Sequence, residues 1–173
     1  MGTDFSSENK QIAVVMFTVN SPQTDIELQQ YYDLRWRILR APWQQPRGSE
    51  RDEYESTAIH AMAADSQGNV IGVARLHQTD KTTAQIRYMA VKARLQKRGV
   101  GKALLHYLEE HAIALGVRLI KLNAREDCVR FYIKQDYHIT GPGHVLYGEI
   151  KHQKMQKQLS QSAVTIENPF RGD

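Results

Sequence analysis

The segment from Gln96 to Gly101 constrains the fold more than any other part of this chain. It follows a strand-like run at residues 86–91 and precedes an amphipathic helical pattern at residues 102–115. Glycine lets the main chain approach a ligand closely, and the first N–H groups of a helix have no acceptor within that helix. Together with the positive end of the helix dipole, these donors form an anion site. The sequence therefore predicts a strand, a phosphate-binding turn and a helix in succession.

The spacing of this turn excludes two common phosphate loops. A nucleoside-triphosphate loop needs a longer spacing that ends in Gly-Lys-Ser or Gly-Lys-Thr, and the chain lacks it. The dinucleotide fingerprint needs a third glycine and a later acidic residue, and it fails as well. The spacing here is Gln-x-x-Gly-x-Gly, with positive charge from Lys97, Arg98 and Lys102.

The segments around the turn carry a family resemblance. Residues 89–91 (Met-Ala-Val) precede it, and residues 122–125 (Leu-Asn-Ala-Arg), Phe131 and Tyr132 follow it. In order and spacing they resemble the acyl-CoA site of the GNAT superfamily of N-acetyltransferases. The resemblance implies that acetyl-CoA (coenzyme A) is the cofactor, with its pantetheine arm along the main chain of residues 89–91 between two splayed strands. The implied cofactor-binding residues are Met89, Ala90, Val91, Gln96, Lys97, Arg98, Gly99, Val100, Gly101, Lys102, Asn123 and Tyr132.

Tyr132 is the catalytic residue that this resemblance implies. Acetyl transfer needs a neutral amine, a polarised thioester carbonyl and a proton for the departing thiolate. A phenol has a pKa of about 10, so it can give its proton to a thiolate only if the two are in direct contact. The alternative is that Phe131 and Tyr132 simply pack a short helix against the sheet. We favour the catalytic role for Tyr132 and the packing role for Phe131.

The sequence leaves the general base unassigned. Many relatives carry a glutamate on the strand before the cofactor loop, but this chain has Gln85, Arg87 and Tyr88 there. The other candidates are acidic residues of the loop at residues 43–56 and two histidines: Glu50, Asp52, Glu53, Glu55, His60 and His152. Such an acidic set is more typical of a solvated surface, and a water chain would also suffice. We name Glu50 as the catalytic candidate on the acceptor side.

Arg87 has two interpretations. It alternates with Ile86 and Tyr88, so its side chain faces the opposite side of the strand from theirs. If that side receives the acceptor, the substrate carries a carboxylate or a phosphate. An ion pair between Arg87 and an acidic residue of a neighbouring strand is an equally good interpretation.

Composition limits the classes of function. The chain has 173 residues, 41% of them hydrophobic, which predicts one globular domain. The net charge of +4 is scattered, so we expect no nucleic-acid partner. There is no apolar run long enough to span a membrane and no signal-peptide pattern, so we expect no membrane partner. Cys128 is the single cysteine, which favours a reducing compartment and a cytoplasmic location. We predict no metal site.

A closer resemblance bears on the partner. Residues 31–37, 45–52 and 124–127 resemble the N-terminal acetyltransferase-like domain of bacterial proteins that continue into a hot-dog thioesterase-like domain. They are similar, more loosely, to ElaA-type acetyltransferases. The resemblance implies a small-molecule or peptide amine as the acceptor, and it is compatible with a homodimer. It also leaves an alternative: a module that binds coenzyme A or acyl-CoA without transferase activity, linked to acyl-carrier or fatty-acid metabolism.

The predicted fold is α/β. The order of elements is β-α-β-β-β-α-β-α-β-β, which resembles a single-domain GNAT fold with a mixed central sheet flanked by helices. We place this domain at residues 11–159, between a mobile N-terminus (1–10) and a polar C-terminal tail (160–173). Thr24 and Glu27 predict a capping box at the start of the first helix. Residues 141–143 (Gly-Pro-Gly) predict a turn between two extended segments.

Overall fold

Seven strands form one mixed sheet in the order β1-β2-β3-β4-β5-β7-β6. The computed structural model describes residues 14–160, so the predicted N-terminus (1–10) and all but the first residue of the predicted tail lie outside the described residues. The strands are β1 (Phe17–Asn20), β2 (Ile59–Asp65), β3 (Val70–Gln78), β4 (Thr83–Val91), β5 (Leu119–Arg125), β6 (His138–Leu146) and β7 (Ile150–Gln158). Neighbouring strands are antiparallel except β4 and β5, which are parallel. The α/β class with a mixed sheet is confirmed.

The helices are α1 (Asp25–Leu39), α2 (Val100–Ala114) and α3 (Val129–Ile133). The helix predicted at residues 102–115 begins two residues earlier, at Val100. The predicted capping box is present: the Thr24 hydroxyl accepts from the Glu27 N–H at 3.2 Å, and the Glu27 carboxylate accepts from the Thr24 N–H at 3.1 Å. No helix of the described residues is long and apolar enough to cross a membrane.

Helices α1 and α2 pack on opposite faces of the sheet. Along β2, Ala61 and Ala63 belong to the core that contains α2, whereas Met62 between them packs with α1. This division follows from the alternation of side chains along a strand. The buried face of α2 consists of Val100, Leu104, Leu105, Leu108 and Ala112. Each face of the sheet is therefore covered by an apolar layer.

The predicted turn at residues 141–143 is wrong, because these residues lie inside β6. This strand is at the edge of the sheet, where proline is tolerated. Its register against β7 shifts twice around this segment. A Cβ on Gly143 would lie 2.9 Å from the Cβ of His152 and 3.0 Å from its carbonyl oxygen. The glycine thus permits a close approach of two strands rather than a reversal of the chain.

Candidate active site

Strands β4 and β5 separate at their carboxyl ends. Their parallel pairing ends with Ile86 opposite Leu122. Beyond this pair β4 continues to Val91 alongside β3, and β5 continues to Arg125 alongside β7. Main-chain groups that border such a gap can pair with an extended ligand as if it were another strand. The predicted pantetheine-binding segment of β4 and Asn123 of β5 both border this gap, as the resemblance implies.

A bulge interrupts β4 at the edge of the gap. One residue of β3, Ala74, lies opposite two residues of β4, Tyr88 and Met89, because the register shifts between Val73 and Arg75. Tyr88 has a φ of 57°, a left-handed conformation that costs a non-glycine residue about 1 kcal/mol. A bulge of this kind disrupts the ladder locally and re-aims the main chain. Here it does so beside the predicted binding segment.

Tyr31 of α1 binds the β3 residue that faces the bulge. Its hydroxyl donates to the carbonyl oxygen of Ala74 at 2.9 Å and accepts from the guanidinium of Arg35 at 2.6 Å. Both side chains are fully buried. Burial raises the pKa of Tyr31, so the phenol stays protonated and remains a donor. The interior of the protein thus fixes the sheet beneath the bulge.

Arginine side chains surround the ring of Tyr88. Four guanidinium carbons lie 4.5 to 5.5 Å from the ring centroid, those of Arg35, Arg40, Arg75 and Arg87. The Tyr88 hydroxyl donates to the carboxylate of Asp52 at 3.2 Å. Cations over an aromatic face are attracted by its negative potential. These contacts offset the cost of the left-handed conformation and hold the bulge in place.

Two carboxylates of the 43–56 loop neutralise the buried arginines. Arg75 forms two hydrogen bonds with Asp52, one of them at 3.0 Å, and one with Glu55 at 2.6 Å. Glu55 also accepts from Arg35 at 2.9 Å. Burial opposes ionisation of Asp52, but the hydrogen bonds from Arg75 and the Tyr54 N–H, with the charges of Arg75 and Arg87, together outweigh it and lower its pKa to about 2. The expectation of a solvated acidic surface is therefore wrong for Asp52 and Glu55.

Arg87 forms the ion pair that was one of its two interpretations. Its guanidinium lies 3.0 Å from the carboxylate of Asp52, which belongs to the loop rather than to a neighbouring strand. The Arg87 side chain is nevertheless 41% exposed. One side of Arg87 therefore remains open to solvent at the mouth of the gap.

The predicted phosphate-binding turn has open space on one side. Gly99 is the N-cap of α2 with a φ of 86°, and no atom of the described residues lies within 4 Å of a Cβ built on it. At Gly101, by contrast, a Cβ would lie 3.3 Å from the ring of Phe131. Lys97 also has a positive φ of 59°. The two glycines thus serve different purposes: Gly99 turns the chain beside the open side, and Gly101 makes room for Phe131.

Tyr132 reaches the gap from α3. Its side chain is buried, and its hydroxyl donates to the sulfur of Met89 at 3.4 Å. The ring packs against Phe131 and Tyr137 with centroids 5.0 and 5.8 Å away. Burial raises the pKa of Tyr132, so its proton is retained at neutral pH. The phenolic proton is thus placed beside Met89, within the predicted binding segment of β4.

Glu50 lies in a different place from the gap. Its carboxylate is buried, accepts from the Gly48 N–H at 2.7 Å and pairs with Arg51 at 3.3 Å. It lines a groove of about 410 Å³ between its own loop and residues of α1 such as Gln29 and Asp33. The role assigned to Glu50 stays a prediction, but Asp52 is the loop carboxylate that contacts β4.

Sequence reasoning missed the buried arginines. Arg35 follows Tyr31 by one helical turn on the stripe that α1 buries, and Arg75 interrupts the apolar run of β3. A charged residue on a core stripe requires a buried partner. This signal was present in the sequence, although it did not show which acidic residues the arginines would meet. In residues 14–160, no group of three or more histidine, cysteine, aspartate or glutamate side chains could hold a metal ion.

Comparisons with known proteins identify a family and show the same fold. The sequence profile described as the acetyltransferase (GNAT) family matches residues 28–137, which is more than half of the chain. Among solved structures, an aminoglycoside 6'-N-acetyltransferase complexed with coenzyme A is 20% identical, with a TM-score of 0.67 over 83% of this chain and 96% of that one. ElaA from Escherichia coli is 15% identical, with a TM-score of 0.68 over 83% and 99%. An acyl-CoA N-acyltransferase from Pseudomonas aeruginosa is 19% identical, with a TM-score of 0.67 over 83% and 99%.

Proposed function

Because the chain belongs to the acetyltransferase (GNAT) family, we propose that it transfers an acetyl group from acetyl-CoA to an amine by direct attack. One observation supports this more than any other. The Tyr132 hydroxyl lies 3.4 Å from the Met89 sulfur, where β4 and β5 have separated. A buried proton donor at an open main-chain edge is the arrangement that thioester chemistry needs. The acceptor is a small-molecule or peptide amine.

The residues present fit acetyl-CoA. The gap between β4 and β5 offers main-chain partners for an extended arm, and the open side of Gly99 at the start of α2 offers space for a pyrophosphate. The binding residues are the set given by the family resemblance: residues 89–91, residues 96–102, Asn123 and Tyr132. When bound, acetyl-CoA supplies a thioester whose carbonyl carbon an amine can attack.

The chain's own contribution to the reaction is a proton and a fixed geometry. The amine nitrogen bonds to the acetyl carbon while the carbon–sulfur bond breaks. Tyr132 Oη supplies a proton to the departing sulfur and regains one from solvent. The amine's proton passes to water, because Asp52, which contacts β4, has a pKa of about 2 and is a weak base. The bulge at Tyr88 and Met89 fixes the β4 main chain where the thioester of bound acetyl-CoA would lie.

Thiol release with acetyl-CoA and a panel of amines tests the proposal, using Tyr132→Phe as the diagnostic variant. We expect about a 100-fold lower kcat for this variant, with acetyl-CoA affinity unchanged in a calorimetric titration. Tyr137→Phe is the matched control, because its hydroxyl donates to Glu109 at 3.0 Å rather than to β4. It should keep its kcat.

The outcomes separate the two functions that the family resemblance implies. Acetyl-CoA binding without turnover for any amine would favour a coenzyme A-binding module. Equal rates in Tyr132→Phe and the wild type would remove Tyr132 as the proton donor. Failure to bind acetyl-CoA or coenzyme A at all would contradict both functions.

A further inference from the structure

Five cationic or titratable side chains from different elements lie around the carboxyl ends of β4 and β5. We call them the cationic ring: Arg40, Arg87, Arg125, His144 and His152. Arg87 follows the last β4–β5 pair directly, and Arg125 is the last residue of β5. The other three come from the end of α1 and from β6 and β7. The ring therefore draws its side chains from five elements near the end of the gap where the two strands have separated.

Two members of the cationic ring, Arg40 and Arg87, contact the side chain of Tyr88. The guanidinium carbons of Arg40 and Arg87 lie 5.5 and 4.9 Å from the Tyr88 ring centroid. Tyr88 thus connects the end of α1 with β4. Burial, followed by the electrostatic effects of His152 and Arg87, lowers the pKa of His144.

A second group of contacts involves the two histidines, Arg125 and Trp43. The rings of His144 and His152 stack with their centroids 4.3 Å apart, and His152 is the register partner of Arg125. The guanidinium carbon of Arg125 lies 5.6 Å from the Trp43 ring centroid. The main-chain N–H of Trp43 donates to the main-chain carbonyl of Arg40 at 3.0 Å. Arg125, His152 and His144 therefore lie side by side, and Arg125 contacts Trp43 of the segment that follows α1.

Positive charge exceeds negative charge at this end of the gap. Asp52 pairs with Arg87 at 3.0 Å, but it already accepts two hydrogen bonds from the buried Arg75. Asp127 pairs with Arg125 at 3.2 Å, and the Arg125 side chain is 37% exposed. Arg40 donates to the carbonyl of Ser49 at 2.9 Å, an uncharged partner. Exposed guanidinium groups with surplus charge bind carboxylate or phosphate through paired hydrogen bonds.

We propose that the acceptor amine carries an anionic group, a carboxylate or a phosphate, on the same molecule, and that the cationic ring binds this group. The inference rests on the proposed acetyl transfer and names the class of acceptor. Arg87 and Arg125, on the two strands that separate, hold the anion. The amine of the same molecule then points toward the Met89 side of the gap, where the carbon–nitrogen bond forms. The ring thus discriminates against simple cationic amines, which it repels.

Matched pairs of acceptors test this class. The carboxylate arm compares a set of L-amino acids with their carboxamides, and the phosphate arm compares phosphoethanolamine with ethanolamine. We expect kcat/KM to be about tenfold or more higher for the anionic member of at least one arm. A carboxamide's amine loses its proton more readily than that of the free acid, so amine availability alone would give the opposite order.

Substitutions in the cationic ring test whether it causes the preference for anionic acceptors. Arg87→Gln and Arg125→Gln should each lower the preference about tenfold through KM for the acceptor, with acetyl-CoA affinity kept. Lys121→Gln is the control, because Lys121 is an exposed cation of β5 that lies before the strands separate. It should leave the preference unchanged. Calorimetric titration of the favoured anionic acceptor into protein saturated with coenzyme A gives a readout without turnover, and binding should be lost in Arg87→Gln.

The results distinguish failure of this inference from failure of the proposed function. Turnover of neutral or cationic amines at rates equal to or above those of their anionic partners would overturn the inference and leave acetyl transfer intact. A preference for anionic acceptors that survives both arginine variants would also overturn it. Absence of acetyl-CoA binding would overturn the proposed function itself.

Discussion

Removing the Tyr31 hydroxyl tests whether the buried network supports the bulge of β4. The hydroxyl donates to the Ala74 carbonyl at 2.9 Å and accepts from Arg35 at 2.6 Å, and Tyr31 is 0% exposed. Tyr31→Phe preserves the ring but leaves a carbonyl and a guanidinium N–H without that partner. Each buried polar group left unpaired costs about 1–3 kcal/mol, so we expect a loss of about 3 kcal/mol in the free energy of unfolding.

Tyr32→Phe is the matched control for this loss. The Tyr32 hydroxyl donates to Glu55 at 3.1 Å, and Glu55 keeps its hydrogen bonds from Arg35 and Arg75 without it. The same chemical change should therefore cost only about 1 kcal/mol. Urea unfolding followed by circular dichroism measures both variants.

The location of Ala74 predicts an effect on catalysis as well. Because Ala74 lies opposite Tyr88 and Met89, loss of its hydrogen bond should loosen the bulge and lower kcat at saturating acetyl-CoA in Tyr31→Phe. The same assay on Tyr32→Phe should show a smaller change. Equal losses of stability in the two variants would refute the reasoning, since the network would then add nothing beyond an ordinary hydrogen bond.

Three further predictions concern the glycines and the acidic loop. Gly99→Ala and Gly68→Ala should each lose about 1 kcal/mol of stability, because both residues have positive φ with open space around the Cβ position, but only Gly99→Ala should weaken acetyl-CoA binding in a calorimetric titration. Gly72→Ala should lose about 1–3 kcal/mol in urea unfolding, since its Cβ would lie 2.8 Å from a methyl group of Val100; a smaller loss would mean that α2 shifts freely. The pKa of Asp52 is lowered from 3.8 to about 2 on folding, so its contribution to stability is present above about pH 4 and is lost as the pH falls toward 2. Asp52→Asn should flatten the fall of the urea midpoint over that range.

The buried network explains why a tyrosine, not a glycine, stands in the left-handed position of the bulge. A glycine at residue 88 would adopt the same φ without strain, but it would lose the contacts with the surrounding arginines. The ring of Tyr88 contributes a face to these cations and a hydroxyl to Asp52. The site therefore stores a small backbone strain that the side-chain contacts offset.

Local sequence signals predicted the turn and the helix that border the candidate site. The turn from Gln96 to Gly101 between a strand and a helix needs only glycine spacing and hydrophobic periodicity, both of which are properties of neighbouring residues. The capping box of Thr24 and Glu27 is local in the same sense. These features therefore followed from the sequence, and the α/β class with a mixed sheet followed from the order of the elements.

Long-range pairing decided the rest. Asp52 and Glu55 have the composition of a solvated loop, and only the tertiary structure brings them to Arg35 and Arg75. The glycines around Pro142 indicate a turn by local rules, but in the sheet they permit β6 to approach β7 closely. Local periodicity carries no information about which distant segment a side chain will meet. The sequence by itself therefore determined the glycine turn before α2, and only packing determined the arrangement of charges at the ends of β4 and β5.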